Sequence, residues 1–291
     1  MSRWTSFISV GIAAFIAMPM HAHAQREAPV QSNARPLGLD IVEPVQRARS
    51  DRTSRQFHDN FYDSIHSNLG LGPDDTNWAG LSEIVAVDAS NIVLSEEQAV
   101  RVYFVNEDAG YQNALGYFDR PAEQTNFSNI NPQLIFPNAS SPVDYWDGRG
   151  RRPSTSQSTP VLPGDFVRLN DNQPFDAGTK LDFFVLPNGQ APALFSDSSL
   201  NQGGYRQFVA FAIADSPYIV LKVEDQYFGG DNDYNDAVYA IEIGTTSVHT
   251  LIAASAPLPA PLLALLLPIF IMIRRYMQRC QGNGQEMGAE N

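Results

Sequence analysis

A stretch of thirteen residues, 224–236, carries five carboxylates together with carboxamides and a Gly229-Gly230 pair. Hard cations such as Ca²⁺ take about six to eight oxygen ligands from carboxylates, carboxamides, backbone carbonyls and water, so a glycine-hinged loop can supply most of a coordination shell. Carboxylates at such spacing also repel one another unless a cation neutralises them. The stretch therefore predicts a calcium loop, with a solvated acidic turn as the alternative. The expected ligands are Asp225, Asp231, Asp233, Asn235 and Asp236.

The spacing of these residues comes close to that of an EF-hand loop, with Glu242 in the last ligand position. The match fails on local structure, because an EF-hand turns sharply at a glycine where this chain has Asp236. Residues 237–243 also alternate their side chains with the period of a strand. At about 3.3 Å per residue, Glu242 would lie roughly 20 Å along the chain from Asp236, and we therefore exclude it as a ligand.

A second acidic turn, residues 106–110, follows another expected strand and carries Glu107 and Asp108. Loops that are far apart in the chain can meet where strands of one scaffold end, and such loops often hold binding residues. We therefore expect Glu107 or Asp108 to supply the calcium ligands that the first loop lacks.

The charge balance argues against nucleic acid as a partner. The whole chain carries a net charge of −13, and residues 57–247 hold 9 cationic side chains against 26 acidic ones, a balance of −17. Binding nucleic acid requires a basic surface that neutralises phosphates. Divalent cations are the natural counterions of so acidic a domain.

Histidine is absent between His66 and His249, which excludes a Ser-His-Asp or Cys-His nucleophile and a histidine zinc site from this region. We therefore expect no enzymatic activity. Paired carboxylates can hydrolyse a glycoside without histidine, so a carbohydrate-active enzyme or a carbohydrate-binding module is the alternative function. Tyr145 and Trp146 lie beside acids and are a candidate sugar-stacking platform, with an ordinary surface loop as the other interpretation.

The segments around these loops have the pattern of an all-β protein. Residues 53–69 carry apolar side chains at four-residue spacing, which predicts one short helix with its lead-in over 56–77. Beyond them, short runs with a two-residue period alternate with turns, and Asn188-Gly189 predicts a two-residue hairpin. We expect a β-sandwich or jelly roll over 78–247. The expected strands are 82–88, 91–94, 100–106, 113–118, 133–136, 165–169, 180–186, 207–214, 218–224 and 237–243.

The two ends of the chain indicate export. Residues 1–24 combine a basic start, an apolar run and an Ala-His-Ala site, which predicts a secretory signal peptide. Residues 25–55 are rich in Pro, Arg, Gln and Ser, which predicts a flexible linker. Residues 251–273 are apolar enough to cross a bilayer once, and the basic tail 274–291 would stay in the cytoplasm. The one cysteine, Cys280, lies in that tail, so the exported domain has no disulfide.

The sequence Ala256-Pro257-Leu258-Pro259-Ala260, with the apolar span and the pair Arg274-Arg275 after it, resembles the PEP-CTERM class of C-terminal sorting signals in its Val-Pro-Leu-Pro-Ala variant. The resemblance implies processing by an exosortase-like enzyme in a Gram-negative bacterium, often one that makes exopolysaccharide. A single membrane-spanning anchor is the alternative. The sorting residues under this interpretation are Pro257, Leu258, Pro259, Ala260, Arg274 and Arg275.

Three blocks, 105–118, 178–185 and 224–238, resemble the domain of unknown function 4114, in which the last block reads approximately Glu-Asp, a few residues, Gly-Gly-Asp-x-Asp-Tyr-Asn-Asp and a strand. The likeness covers about 78–244 and implies an exported or surface protein of bacteria whose activity is not established. We therefore expect a secreted β-sandwich that binds Ca²⁺ and has a structural or adhesive role. Its expected place is the cell surface or a biofilm matrix, with extracellular polysaccharide as a partner.

Overall fold

The structure is a computed structural model, and it describes residues 34–127, 129–139 and 161–256. All ten expected strands form, and a short eleventh, β8, joins them. Asn188 and Gly189 both have positive φ, but β8 pairs with the preceding strand only from Leu194, so the expected two-residue hairpin is wrong. The strands are β1 Ile84–Val87, β2 Ile92–Val93, β3 Arg101–Glu107, β4 Ala114–Pro121, β5 Gln133–Phe136, β6 Phe166–Arg168, β7 Thr179–Leu186, β8 Leu194–Phe195, β9 Phe208–Ile213, β10 Tyr218–Val223 and β11 Ala237–Glu242.

The strands form two antiparallel sheets whose facing sides share one hydrophobic core, so the expected β-sandwich is confirmed. One sheet has six strands in the order β1-β9-β10-β11-β3-β6. The other has five strands in the order β2-β7-β4-β5, with β8 also paired to β7. The strands β10 and β11 are neighbours in the middle of the six-stranded sheet, and the acidic loop connects them.

The central strands are mainly apolar because both of their faces are covered. In β10, Ile219 and Leu221 point into the core between the sheets. Tyr218 and Val220 point the other way, into a second core beneath the helical segment described next. Successive side chains of a strand alternate between its faces, so burial of both faces produces a continuous apolar run.

The expected helix is confirmed as a helical run over residues 52–67. It consists of α1 (Arg52–Phe57), a π-helical turn (His58–Tyr62) and α2 (Asp63–Ser67). Asp51 caps the start of this run. Its carboxylate accepts a hydrogen bond from the backbone N–H of Ser54, and the hydroxyl of Ser54 accepts one from the backbone N–H of Asp51. Phe57 is wholly buried and stacks on Tyr103 of β3 at a ring-centroid distance of 4.0 Å. The helical run therefore covers the outer face of the six-stranded sheet.

The expected flexible linker over 25–55 is wrong for the part that the structure describes. Ile41 bridges to Leu134 at one sheet edge, and Gln46 bridges to Phe166 at an edge of the other sheet. Val42 between them is buried in the main core. The composition of the segment concealed this role, since a few backbone hydrogen bonds and a few apolar side chains suffice to cover two exposed edges.

A second helix, α3 (Thr245–Ser255), follows β11 and was not predicted. Val248 and Leu251 are buried in the main core, and the hydroxyl of Ser247 accepts a hydrogen bond from the backbone of Ser95. The sandwich therefore continues past its expected end at residue 247. Among the described residues, none of the helices has the length and apolar character needed to span a bilayer.

Several expected features lie outside the described residues. They are the signal peptide 1–24, residues 25–33 of the linker, Tyr145 and Trp146, the sorting residues 257–260, 274 and 275, most of the apolar segment 251–273, and the tail 274–291.

Replacing Leu251 tests whether α3 is part of the folded domain. Leu251→Ala should lower the free energy of unfolding by about 2–5 kcal/mol, because it removes a buried side chain and leaves a cavity. The matched change Ala253→Ser, on the exposed side of α3, should alter it by less than about 0.5 kcal/mol. Urea unfolding of the two variants measures both values, and equal stabilities would mean that α3 is not packed on the core.

Candidate metal centre

The acidic loop spans the ends of two paired strands. Val223 at the end of β10 lies opposite Ala237 at the start of β11, so Glu224 and Asp236 meet at the base of the loop. Strand alternation turns the next two side chains of the loop to opposite faces of the sheet. Glu224 continues the face that the helical run covers, and Asp225 continues the face toward the second sheet.

Three carboxylates converge at the base of the loop and form what we term the inner group: Glu224, Asp225 and Asp236. Their carboxylate oxygens lie within 4.8 Å of one another. Glu224 and Asp225 are almost fully buried. The backbone N–H of Asp225 donates to Asp236 across the base at 2.8 Å. From the other sheet, the side-chain amide of Asn113 donates to Asp225 at 2.6 Å, so the inner group contacts both layers of the sandwich.

A second set, the outer group, consists of Glu224, Asp231 and Asp233, again within 4.8 Å of one another. Glu224 belongs to both groups and therefore lies at the centre of the site. Asn235 donates to Asp233 from its backbone and, at 2.7 Å, from its side-chain amide. The outer group thus uses the exposed part of the loop, whereas the inner group lies below it.

The two glycines are required because the loop backbone passes directly over Glu224. A Cβ atom on Gly230 would lie 1.8 Å from a carboxylate oxygen of Glu224. Gly229 has a φ of 91°, a region that side chains other than glycine rarely adopt. With this close approach, the backbone N–H of Asn232 donates to Glu224 at 3.1 Å. The Gly-Gly pair therefore positions the central carboxylate.

Burial makes the negative charge of the inner group costly. Burial raises the pKa of Glu224 and of Asp225. Burial and the neighbouring charge of Asp225 together raise the pKa of Asp236 to about 9. Desolvated carboxylates that repel one another must either keep protons or bind a cation. At neutral pH, a divalent cation and a proton therefore compete for the same oxygens.

Among the buried side-chain oxygens that have no hydrogen-bond partner in the described part of the chain, two belong to residues that interact with Asp225. They are the side-chain carbonyl of Asn113 and the hydroxyl of Tyr239. Burial and the charges of Glu107 and Asp225 raise the pKa of that hydroxyl, so it stays protonated. Buried polar atoms are nearly always satisfied, and the unpaired carbonyl oxygen of Asn113 is a ligand type that Ca²⁺ accepts. The oxygen-only composition of the site fits a hard cation.

Backbone contacts place the second acidic turn, residues 106–110, beside the 224–236 loop. Glu107 lies opposite Ala237, and the backbone N–H of Asp108 donates to the carbonyl of Asp236 at 3.3 Å. The carboxylates of Glu107 and Asp108 belong to neither the inner nor the outer group. Their role as ligands stays a prediction.

The structure places Glu242 at the far end of β11, opposite Arg101 and Tyr218. Its carboxylate accepts a hydrogen bond from the hydroxyl of Tyr103 at 3.1 Å. Sequence reasoning missed Glu224, because it treated this residue as the last position of a strand. A signal was available in the sequence, because the apolar strand ends on one acid, Glu224, and a second acid, Asp225, follows directly.

Residues 175–244 match the family described as domain of unknown function (DUF4114). A DUF4114 domain lies in this part of the chain. It includes β7 to β11 and the whole acidic loop, so it takes in the blocks 178–185 and 224–238 but not 105–118. No curated protein and no solved structure matches the chain.

The raised pKa of Asp236 predicts how stability depends on pH when a chelator keeps the protein free of metal. The folded chain holds a proton on Asp236 up to about pH 9, whereas the unfolded chain releases it near pH 4. The stability that this proton contributes is fully present below the pKa of Asp236 in the unfolded chain and is lost as pH rises toward 9. The melting temperature should therefore fall between pH 5 and 8. Asp236→Asn should flatten this slope.

Asp176→Asn is the matched control, since this residue is exposed and lies in a turn away from the loop. It should leave the slope unchanged. Burial lowers the pKa of Lys222 to about 8, so this residue begins to lose its proton in the upper part of the range, and the slopes are compared between pH 5 and 7. A metal-free melting temperature that rises over this range would contradict the assignment.

Proposed function

We propose that this chain is an exported protein of the cell surface or extracellular matrix whose β-sandwich binds Ca²⁺ through the 224–236 loop and serves a structural or adhesive role. The observation that carries the proposal is that, in the described residues, the five carboxylates of the loop form no ion pair with arginine or lysine. The nearby Lys222 donates instead to the carbonyls of Leu69 and Leu71. The loop must therefore be neutralised by bound protons or by an external cation, and calcium is the hard cation that is plentiful outside the cell.

The proposed mechanism is ion-dependent stabilisation of the folded loop. An ion at the inner group would join β10, β11 and, through Asn113, the second sheet. Binding to the folded chain alone raises stability by mass action. Outside the cell, where calcium is millimolar, a site with a dissociation constant on the order of 10⁻⁴–10⁻³ M is occupied.

Thermal unfolding of the full chain tests the calcium site. For such a dissociation constant, about 10 mM Ca²⁺ should add roughly 1.4–2.7 kcal/mol of stability over a chelator-treated sample. The melting temperature should then rise by about 3–10 °C. Glu224→Gln and Asp225→Asn together should abolish the rise, because they remove the carboxylate that the two groups share and its buried neighbour.

Two comparisons make the result specific. Mg²⁺ at the same concentration should give a smaller rise, since it requires a compact octahedral shell and gives up water reluctantly. Asp171→Asn, a change in a separate surface turn, should leave the calcium response intact. An equal rise in the Glu224→Gln, Asp225→Asn variant would place the ion elsewhere, and no rise in the unmodified chain would remove calcium from the proposal.

Export and sorting rest on the two ends of the sequence. We propose that the signal peptide is removed near residue 25 and that an exosortase-like enzyme processes the Pro257-Leu258-Pro259-Ala260 signal. Mass spectrometry of the protein from producing cells should then find a mature chain that begins near Gln25 and lacks Cys280. A mature chain that retains Cys280 would favour the single-span anchor.

A further inference from the structure

Exposed aromatic rings surround the acidic loop. Within the described residues, five large hydrophobic side chains are exposed, and four of them are aromatic: Tyr111, Tyr205, Tyr227 and Phe228. We refer to these four as the ring patch. Tyr227 and Phe228 belong to the loop itself, between Asp225 and the Gly229-Gly230 pair. Single exposed apolar residues are ordinary, whereas several together at one place mark an interaction site.

Contacts join the rings to one another and to the loop. Tyr205 and Phe228 meet edge to face at a centroid distance of 5.4 Å. The hydroxyl of Tyr227 donates to the carbonyl of Pro192 at 2.9 Å, and burial together with the nearby Tyr111 raises its pKa. Phe228, which is 57% exposed, has a φ of 69°. A bulky residue rarely adopts this backbone conformation, and here the conformation holds its ring in solvent.

A separate observation, an unpaired buried oxygen, indicates a ligand at the acids beside the ring patch. Asn113 is fully buried, its amide lies on Asp225, and its carbonyl oxygen lacks a hydrogen-bond partner among the described residues. An unpaired buried carbonyl oxygen beside these acids is a ligand type that Ca²⁺ accepts. Glu224 belongs to both groups and Asp231 of the outer group is exposed, so an ion that Glu224 shares with Asp231 keeps coordination positions open to an external ligand.

We propose that the ring patch and the loop ion together bind a neutral polysaccharide; this inference rests on the calcium site proposed above. Sugar rings carry apolar C–H faces that stack on aromatic rings, and their rims carry hydroxyls that can bind a hard cation. The acids around the patch disfavour an anionic ligand. They also disfavour a second copy of this chain, because residues 57–247 carry a charge of −17.

Affinity electrophoresis of the full chain tests the proposal. The probes are the neutral and the acidic fractions of the polysaccharide shed by cells that produce this protein, each cast into a native gel with Ca²⁺ or with a chelator. The neutral fraction should retard the chain in Ca²⁺, and the chelator should release it. The acidic fraction should retard it less. Retardation that persists in chelator would overturn the role of the ion.

Three variants locate the binding surface. Phe228→Asn should weaken retardation about tenfold or more, because it removes the most exposed ring while asparagine still tolerates positive φ. Tyr205→Ser should act in the same direction. Leu37→Asn is the matched control, since Leu37 is 55% exposed, has a φ of 54° and carries no ring. It should bind as the unmodified chain does.

The calcium-induced rise in melting temperature separates the two proposals. Phe228→Asn should keep that rise while losing the polysaccharide. If the unmodified chain shows the rise but neither fraction retards it, the polysaccharide proposal is wrong and the calcium site stands. A calcium-dependent dimer in sedimentation velocity that Phe228→Asn abolishes would assign the ring patch to self-association instead.

Discussion

The site depends on one constraint, the burial of three carboxylates at the joint between β10 and β11. Repulsion between Glu224, Asp225 and Asp236 acts at the point where two central strands separate. Whatever neutralises these acids therefore determines whether the ends of the strands stay paired. Because Asn113 of the facing sheet contacts Asp225, the same charge also affects the packing of the two layers.

Elsewhere the chain neutralises its buried acids with its own cations. Although burial opposes it, hydrogen bonds from Ser54 and Arg168 lower the pKa of Asp51 to about 2. Arg120 pairs with the buried Asp182 at 2.8 Å. Beside the acidic loop, Lys222 is engaged by backbone carbonyls, and the guanidinium of Arg206 lies over the ring of Tyr234. The contrast separates acids that are paired with cations of the chain from acids that must keep protons or bind a cation from outside.

Sequence reasoning predicted the strands well because the signal was local. The continuous apolar runs of β10 and β11 reflect burial on both faces, which periodicity detects. One error was the Asn188-Gly189 hairpin, and the two others, over residues 25–55 and α3, arose where tertiary contacts decide the structure. The polar composition of residues 25–55 outweighed the apolar residues among 41–46 that cover two sheet edges, and α3 was concealed because it overlaps the apolar segment 251–273.

At the acidic loop, too, the sequence predicted what is local in the chain and missed what depends on tertiary contacts. The count of acids identified Asp225 and Asp236, and their place on the loop followed from the strands around it. The central role of Glu224 could not be read from spacing, because it arises from the passage of Gly230 over its carboxylate. Nor could the sequence place Asn113 of the opposite sheet beside Asp225, since 112 residues separate them along the chain.

The outward turn of the loop at Tyr227 and Phe228 follows from the close approach of Gly230 to the carboxylate of Glu224. The chain must leave Asp225, clear the carboxylate of Glu224 and return over it at Gly230, and the residues between turn outward. Any residue at 228 would occupy positive φ, so a phenylalanine there carries a cost that asparagine or glycine would avoid. Its ring stands exposed beside Tyr205 rather than in a core. The polysaccharide that we propose would contact both this ring and an ion at the acids, and would give the costly backbone conformation at residue 228 a function.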